Sequence, residues 1–231
     1  EDVEHLPAII TLDLSSKFDL TNLKLTFFDG DDVDSVKVYP FDKFYLPADR
    51  LDKGDDRNSS NYIDQMIDFH NEGDLTLCGE SSIKQSQIRA QVLEYYKKYN
   101  VIAIAYDPWN SEGFIEQLGA EIPDDKFIEY TQVGFKNWSN PSQYTEAMIM
   151  DGRLRHNGNG LQRFCMSNVG IKENQYESIR PVKLGSDLKI DGEITLIMAV
   201  GTWLWTASAP AKPEKKLSPI AQRIMANEKD Y

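Results

Sequence analysis

The sequence predicts an α/β domain in which a mixed central sheet is flanked by helices. Three stretches predict it. Residues 9–21 (IITLDLSSKFDLT) form an apolar strand that delivers Asp13 at its end. A short polar run then turns the chain, and Leu14, Leu20, Leu23, Leu25 and Phe27 continue in near alternation, so a second strand folds back beside the first. Residues 101–106 (VIAIAY) are an apolar run of buried-strand length that ends in Asp107. Ahead of that run, Ile83, Ile88, Val92, Tyr95, Tyr96 and Tyr99 mark one helix face, and such a helix-to-strand step favours parallel pairing. Near the C-terminus, Ile190, Ile194, Ile197, Met198, Gly201, Leu204 and Trp205 recur at helical spacing and predict a long amphipathic helix.

The remaining elements follow in order. Residues 1–8 read as a linker remnant, and 9–207 read as the folded unit. Strands at about 9–14 and 20–29 lead through the acidic turn 29–34 to a third strand over 35–45. Residues 51–60 are polar and charged, which predicts a mobile loop. Tyr62, Ile63, Met66, Ile67 and Phe69 stripe a short helix stopped by Glu72-Gly73, and a brief strand follows at 75–78. Beyond Asp107 come a helix over 111–118, a strand over 127–130 and a helix to Met150 with Pro141 in its first turn. The Gly/Asn-rich turn 156–160 precedes a helix over 161–167, and 178–184 reads as extended. The tail, 208–231, loses apolar density and reads as a flexible or partner-docking linker with one short helix.

At 231 residues the chain is long enough to bury a full core, and 41% hydrophobic with 27% charged residues is ordinary for a globular protein. The chain opens on acidic EDVEHLP, so no secretory signal is read, and the most apolar helix is too short to span a bilayer. Cys78 and Cys165 read as reduced, structural and intracellular, and His5, His70 and His156 stand too far apart for a zinc motif. The net charge of −12 argues against a generic nucleic-acid coat. The excess acid lies before Ser81, however, whereas Lys136, Arg153, Arg155, Arg163, Lys172, Arg180, Lys183 and Lys189 outnumber nearby acids later on. That asymmetry suits either an ordinary solvated surface or a cleft with one basic side.

Two strand-end carboxylates, Asp13 and Asp107, and a third at the first turn of the last helix, Asp191, suggest one chemistry. A strand fixes a carboxylate while the loop beyond leaves it open, and an acid at a helix start is favoured by the helix dipole. In this order the three resemble the acidic triad of the ribonuclease-H-like nuclease and integrase superfamily. That resemblance implies two divalent cations, Mg²⁺ or Mn²⁺, about 4 Å apart, one activating water and one stabilising the leaving oxygen. On this reading Asp13 bridges both ions, and Asp107 and Asp191 each complete one. Asp19 is a second candidate ligand or a supporting acid. Glu80 reads as an exposed polar residue rather than a ligand, Asp187 as a solvated loop acid, and Trp109 as core packing.

The local motifs narrow the resemblance. LDLSSKFDLT, AYDPWNSEGF, the segment NPSQYTEAMIMDGRLRHNGNG and the closing KIDGEITLIMA together resemble the C-terminal nuclease domain of the large terminase subunit of tailed bacteriophages, over about residues 8–207. The resemblance implies that Asp13, Asp107 and Asp191 are catalytic metal ligands. It also matches the turn Leu154–Asn159 and Lys183 to family motif positions; His156 and Lys183 read as contacts to substrate phosphate or aids to proton transfer, with Arg155 and Lys189 as further DNA-binding candidates. The implied activity is cleavage of double-stranded viral DNA concatemers during head filling, with little sequence specificity because backbone attack reads no base edges. The implied partners are the terminase ATPase domain, the small terminase subunit and the portal, with the isolated domain a monomer in the host cytoplasm, away from membranes. No GxxxxGK[ST] phosphate loop occurs in these residues, so ATP-driven translocation is not expected of them. A resolvase or integrase core, or a non-catalytic assembly module, are the rival readings.

Overall fold

The computed structural model describes residues 2–15, 19–52, 59–109, 111–185 and 188–208. Strand β1 (Pro7–Asp13), β2 (Thr21–Asp29) and β3 (Lys37–Leu46) form an antiparallel meander. Helix α1 (Ser60–Asn71) leads to β4 (Leu75–Leu77), which pairs in parallel with the end of β3. Helix α2 (Gln85–Lys98) feeds β5 (Asn100–Tyr106), and α3 (Glu112–Gly119) feeds β6 (Phe127–Glu129). Strand β5 lies parallel to β1, and β6 parallel to β5, so the six-stranded sheet runs β4-β3-β2-β1-β5-β6. Then come α4 (Ser139–Met150), α5 (Gly160–Ser167), a separate hairpin of β7 (Val169–Glu173) and β8 (Ile179–Lys183), and α6 (Asp191–Ser208).

The alternation of the meander sorts its residues onto two faces. Ala8, Ile10, Leu12, Leu23, Leu25 and Phe27 pack against Ile88 and Val92 of α2 and Phe114 and Leu118 of α3. Ile9, Phe28, Val38 and Ala103 point the other way, onto Met148 of α4 and Ala199, Val200 and Trp203 of α6. Each such large apolar side chain contributes about 1.5–3 kcal/mol on full burial. The result is three layers, helix on sheet on helix.

Several expectations are amended. The last helix is not amphipathic: nearly every residue from Gly192 to Trp203 is buried, because β1 and β2 lie under it and α4 and α5 beside it. A helix that is apolar all round belongs in the interior. Residues 1–8 are not all linker, since Val3 joins the core and β1 begins at Pro7. Helix α2 starts only at Gln85, with Ile83 packing ahead of it. Strand β7 was not anticipated. Its sequence VGIKE has no clean alternation, and among the described residues it pairs only with β8, across a turn where Glu177 takes φ 60°. Of the expected mobile loop over 51–60, Leu51 ends a short 3-10 helix and Ser60 opens α1, while 53–58 lie outside the described residues, as does the tail 208–231 beyond Ser208.

Candidate active site

Parallel pairing of β1 and β5 brings their C-terminal ends to the same edge of the sheet. Leu12 pairs with Tyr106, so the next residues, Asp13 and Asp107, leave adjacent strands side by side. Helix α6 crosses this end on the β1–β2 face and begins there with Asp191. Two hydrogen bonds pin its first turns to the sheet: Thr11 Oγ1 donates to the Thr195 carbonyl (3.0 Å), and Thr195 Oγ1 donates to Asn22 Oδ1. The end of β1 and the helix start thereby border a cavity of about 440 Å³ lined by Asp13, Asp19, Gln132, Arg180, Lys183 and Asp191, among others, whereas Asp107 stands beside Asp13 outside that lining.

Asp13 opens onto the cavity but is otherwise enclosed by protein. That burial, with the negative charge of Asp191 beside it, pushes its carboxyl up to about 8, and Asp107 adds to the effect. The opposing influence is Gln132, whose Nε2 donates to Asp13 Oδ1 (3.2 Å). Asp191 is raised to about 6 by burial and by Asp19, against the pull of Lys183 and Lys189. Its Oδ2 is buried and has no hydrogen-bond partner. Burial raises Asp107 too, offset in part by the Trp109 backbone N–H, which donates to its Oδ1 (3.1 Å).

The residues fit a cation site by the chemistry of their donors. Among the described residues no three His, Cys, Asp or Glu side chains form a ready-made cage for one ion. Mg²⁺ does not require one, because it keeps several waters and takes one or two carboxylates. An unpartnered buried carboxylate oxygen on Asp191, and an Asp13 whose ionisation is opposed by burial and like charge, are what a cation would relieve.

The other expected residues divide. Asp19 reaches the cavity, but its Oδ1 accepts from Lys189 Nζ and from the Leu20 backbone N–H. Although burial raises Asp19, the Lys189 ammonium brings its carboxyl below the usual range, so it acts here as the counter-charge of Lys189. Lys189 also lies 5.9 Å from the Tyr62 ring centre. The charge of Lys183 is felt by Asp13, Asp19 and Asp191. Arg155 and His156 are not brought to the cavity. The Arg155 backbone N–H is bonded to the Val38 carbonyl, and Val38 lies six residues along β3 from Phe44, the cross-strand partner of Asn22 beside Asp13. That is about 20 Å of strand. Arg153, counted above among the basic residues, spends its charge on Asp151 (2.9 Å).

Glu80 is exposed beyond β4 at the far edge of the sheet, and Asp187 lies outside the described residues. Trp109 overturns its expectation: it is 78% exposed beside Asp107, because Pro108 turns the chain off the strand into solvent.

Sequence reasoning missed Gln132, Arg180 as a cavity residue, and a buried polar layer under the helix start. Lys24, fully buried, pairs with Asp42 and donates to Gln162 Oε1 (3.2 Å). Glu193 lies alongside, raised to about 7 by burial. A lysine between two leucines in a core strand (LKL) was the available signal.

The family model for the terminase large subunit, endonuclease domain, matches residues 4–207. The chain is 27% identical over 207 residues to Protein YmfN of Escherichia coli (strain K12), which covers 87% of this chain and 44% of that protein. It is 26% identical over 194 residues to the large terminase subunit of Enterobacteria phage HK97, covering 82% of this chain and 36% of that protein. It therefore spans less than half the length of either relative. The crystal structure of the HK97 bacteriophage large terminase superposes with a TM-score of 0.69 at 22% identity, over 87% of this chain and 41% of the other. The large terminase nuclease of thermophilic phage G20c superposes with a TM-score of 0.52 at 10% identity, over 85% and 81%. At those identities the superpositions speak to fold, which is that of the ribonuclease-H-like terminase nucleases. The match across 4–207 settles the family: this chain belongs to the endonuclease domains of terminase large subunits.

Proposed function

We propose that this domain is a divalent-cation-dependent endonuclease that hydrolyses phosphodiester bonds of double-stranded DNA, and that Asp13, Asp107 and Asp191 are its cation-binding carboxylates. The observation that carries the reading is that Asp13 and Asp191, from β1 and α6, line one cavity, while Asp107 leaves the neighbouring parallel strand beside Asp13 and its charge acts on it. Mg²⁺ or Mn²⁺, as a pair of ions, would supply an activated water and stabilise the leaving oxygen. Asp13 is central because the charges of both other carboxylates act on it. Gln132 holds one Asp13 oxygen and leaves the other to the cavity. Lys183 brings positive charge to the same space, suited to the phosphate backbone.

By family membership, the substrate is concatemeric viral DNA cut during genome packaging. The terminase ATPase domain, the small subunit and the portal are the partners, and the host-cell cytoplasm is the place of action. The test is cleavage of supercoiled plasmid by the purified chain with Mn²⁺, Mg²⁺ or EDTA, alongside Asp107→Ala. Nicking and linearisation that need metal, and that vanish in the variant while its circular dichroism stays native, support the reading. Cleavage that persists in EDTA or in the variant overturns it.

A further inference from the structure

The cavity has two chemically different walls. One is acidic and rises from the strand ends and α6. The other belongs to β8, which places Arg180, Pro181, Val182 and Lys183 along the cavity. That strand is held at several points: the Ile179 backbone N–H donates to Ser139 Oγ of α4 (3.1 Å), the Leu184 N–H to the Asn168 carbonyl (3.0 Å), and Asn168 Nδ2 to the Lys189 carbonyl (3.0 Å). Arg180 thus projects from an anchored strand. Its guanidinium lies over the Phe135 ring, 5.5 Å from the ring centre and within cation–π reach. Its Nε is buried and carries no hydrogen-bond partner. A pre-positioned guanidinium at the edge of a carboxylate cavity is matched to a phosphodiester, whose oxygens accept from a planar fork.

We propose that Arg180 binds a backbone phosphate of the DNA strand entering this cavity. It holds the strand against the β8 wall while the scissile bond faces the carboxylates. The inference rests on the nuclease reading above and adds a substrate-positioning residue to it. Lys183, on the same strand, has a flexible stem and gives charge without a fixed orientation. Arg180 therefore sets the path of the strand.

The experiment is binding of a fluorescent duplex by anisotropy, in EDTA and in Ca²⁺, across a range of salt concentrations, together with steady-state cleavage in Mn²⁺. Arg180→Gln is expected to bind about tenfold more weakly and to lower the slope of log affinity against log salt by about one, the signature of one lost phosphate contact. Arg180→Lys keeps the charge and serves if the first variant fails to fold. It is expected to keep the salt slope while raising KM several-fold with kcat little changed. Lys172→Gln removes one positive charge from the same hairpin, at the position paired with Arg180 in β7, and is the control for hairpin charge alone. Weakening by Lys172→Gln equal to that by Arg180→Gln would sink the proposal. So would wild-type affinity and salt slope in Arg180→Gln, or wild-type KM in Arg180→Lys. If the wild-type chain neither binds nor cuts duplex DNA, the nuclease reading falls, and this inference with it. If it does both and the Arg180 variants match it, only this inference falls.

Discussion

A buried acidic cluster is costly, and its cost has a sign that stability measurements can read. Asp13 is raised from 3.8 to about 8 in the folded chain, first by burial and then by Asp191. Between pH 5 and 7 the unfolded chain carries this carboxyl ionised, while the folded chain carries it protonated. The folded state then holds one more proton, so the stability that Asp13 contributes is full below its unfolded value and lost as pH rises toward about 8. One proton corresponds to about 1.4 kcal/mol per pH unit, so Asp13 alone removes on the order of 2–3 kcal/mol between pH 5 and 7. Asp13→Asn keeps the shape and cannot ionise. The assay is urea unfolding of both proteins in EDTA at pH 5, 6, 7 and 8, because their difference cancels the shared groups that do not act on Asp13, Glu193 among them. At the usual slope of about 1–3 kcal/mol per molar, the midpoint of the variant should gain on that of the wild type by about 1 M or more from pH 5 to 7. Mn²⁺ at a hundredfold excess over its dissociation constant should return about 2.7 kcal/mol to the wild type and far less to the variant. Two curves that run parallel across this range would refute the reasoning, since the carboxyl would then be no harder to ionise folded than unfolded.

Two further outcomes follow from the polar neighbours of the site. Lys24→Met leaves Asp42 buried without its cation and is expected to cost about 3–5 kcal/mol by chemical denaturation, with most of it recovered in the Lys24→Met/Asp42→Leu double variant. Gln132→Leu removes the donor to Asp13 and is expected to weaken Mn²⁺ binding by about tenfold or more in calorimetry, with the unfolding midpoint in EDTA little changed.

Most of the sheet was legible in the sequence because its cues are local. Alternation in the meander and the apolar run before Asp107 each report burial within a few residues, and strand-end acids are visible as composition changes. That Asp13 and Asp107 leave adjacent strands follows from β1 and β5 being parallel neighbours, a pairing the helix ahead of β5 favours, whereas Asp191 is delivered separately by α6. What escaped depends on contacts distant in sequence. Gln132 meets Asp13 across 119 residues, and Lys24 meets Gln162 across 138. Arg155 and His156 enter as site candidates through the resemblance of the Leu154–Asn159 turn. The bridge from Leu154 to Val38, a contact distant in sequence, ties the start of that turn to the far end of β3. Trp109 was assigned to the core on its chemistry alone, since hydrophobicity does not say which way a chain leaves a strand after proline.

The helix that carries Asp191 poses a problem that the buried polar layer answers. A helix buried on all sides has little in its hydrophobic contacts to fix its rotation or its position along the sheet, because dispersion and burial are non-directional. A slide of one residue in α6 would move the Asp191 carboxylate by about 1.5 Å and turn it by roughly 100°. Directional contacts remove that freedom. Thr195 is tied to both Thr11 and Asn22, so two adjacent strands fix one helical position a single turn from Asp191. Glycines allow the approach: a side chain at Gly192 would collide with Gln162 and Phe44, and one at Gly201 with Tyr130 and Pro141. Gln162 is in turn the residue that Lys24 holds. The buried Lys24–Asp42 pair is a poor source of stability by itself, and its value on the proposed reading lies in registration. It fixes Gln162, Gln162 bounds the space open to Gly192, and Gly192 sets where its neighbour Asp191 presents the unpartnered oxygen to the cavity.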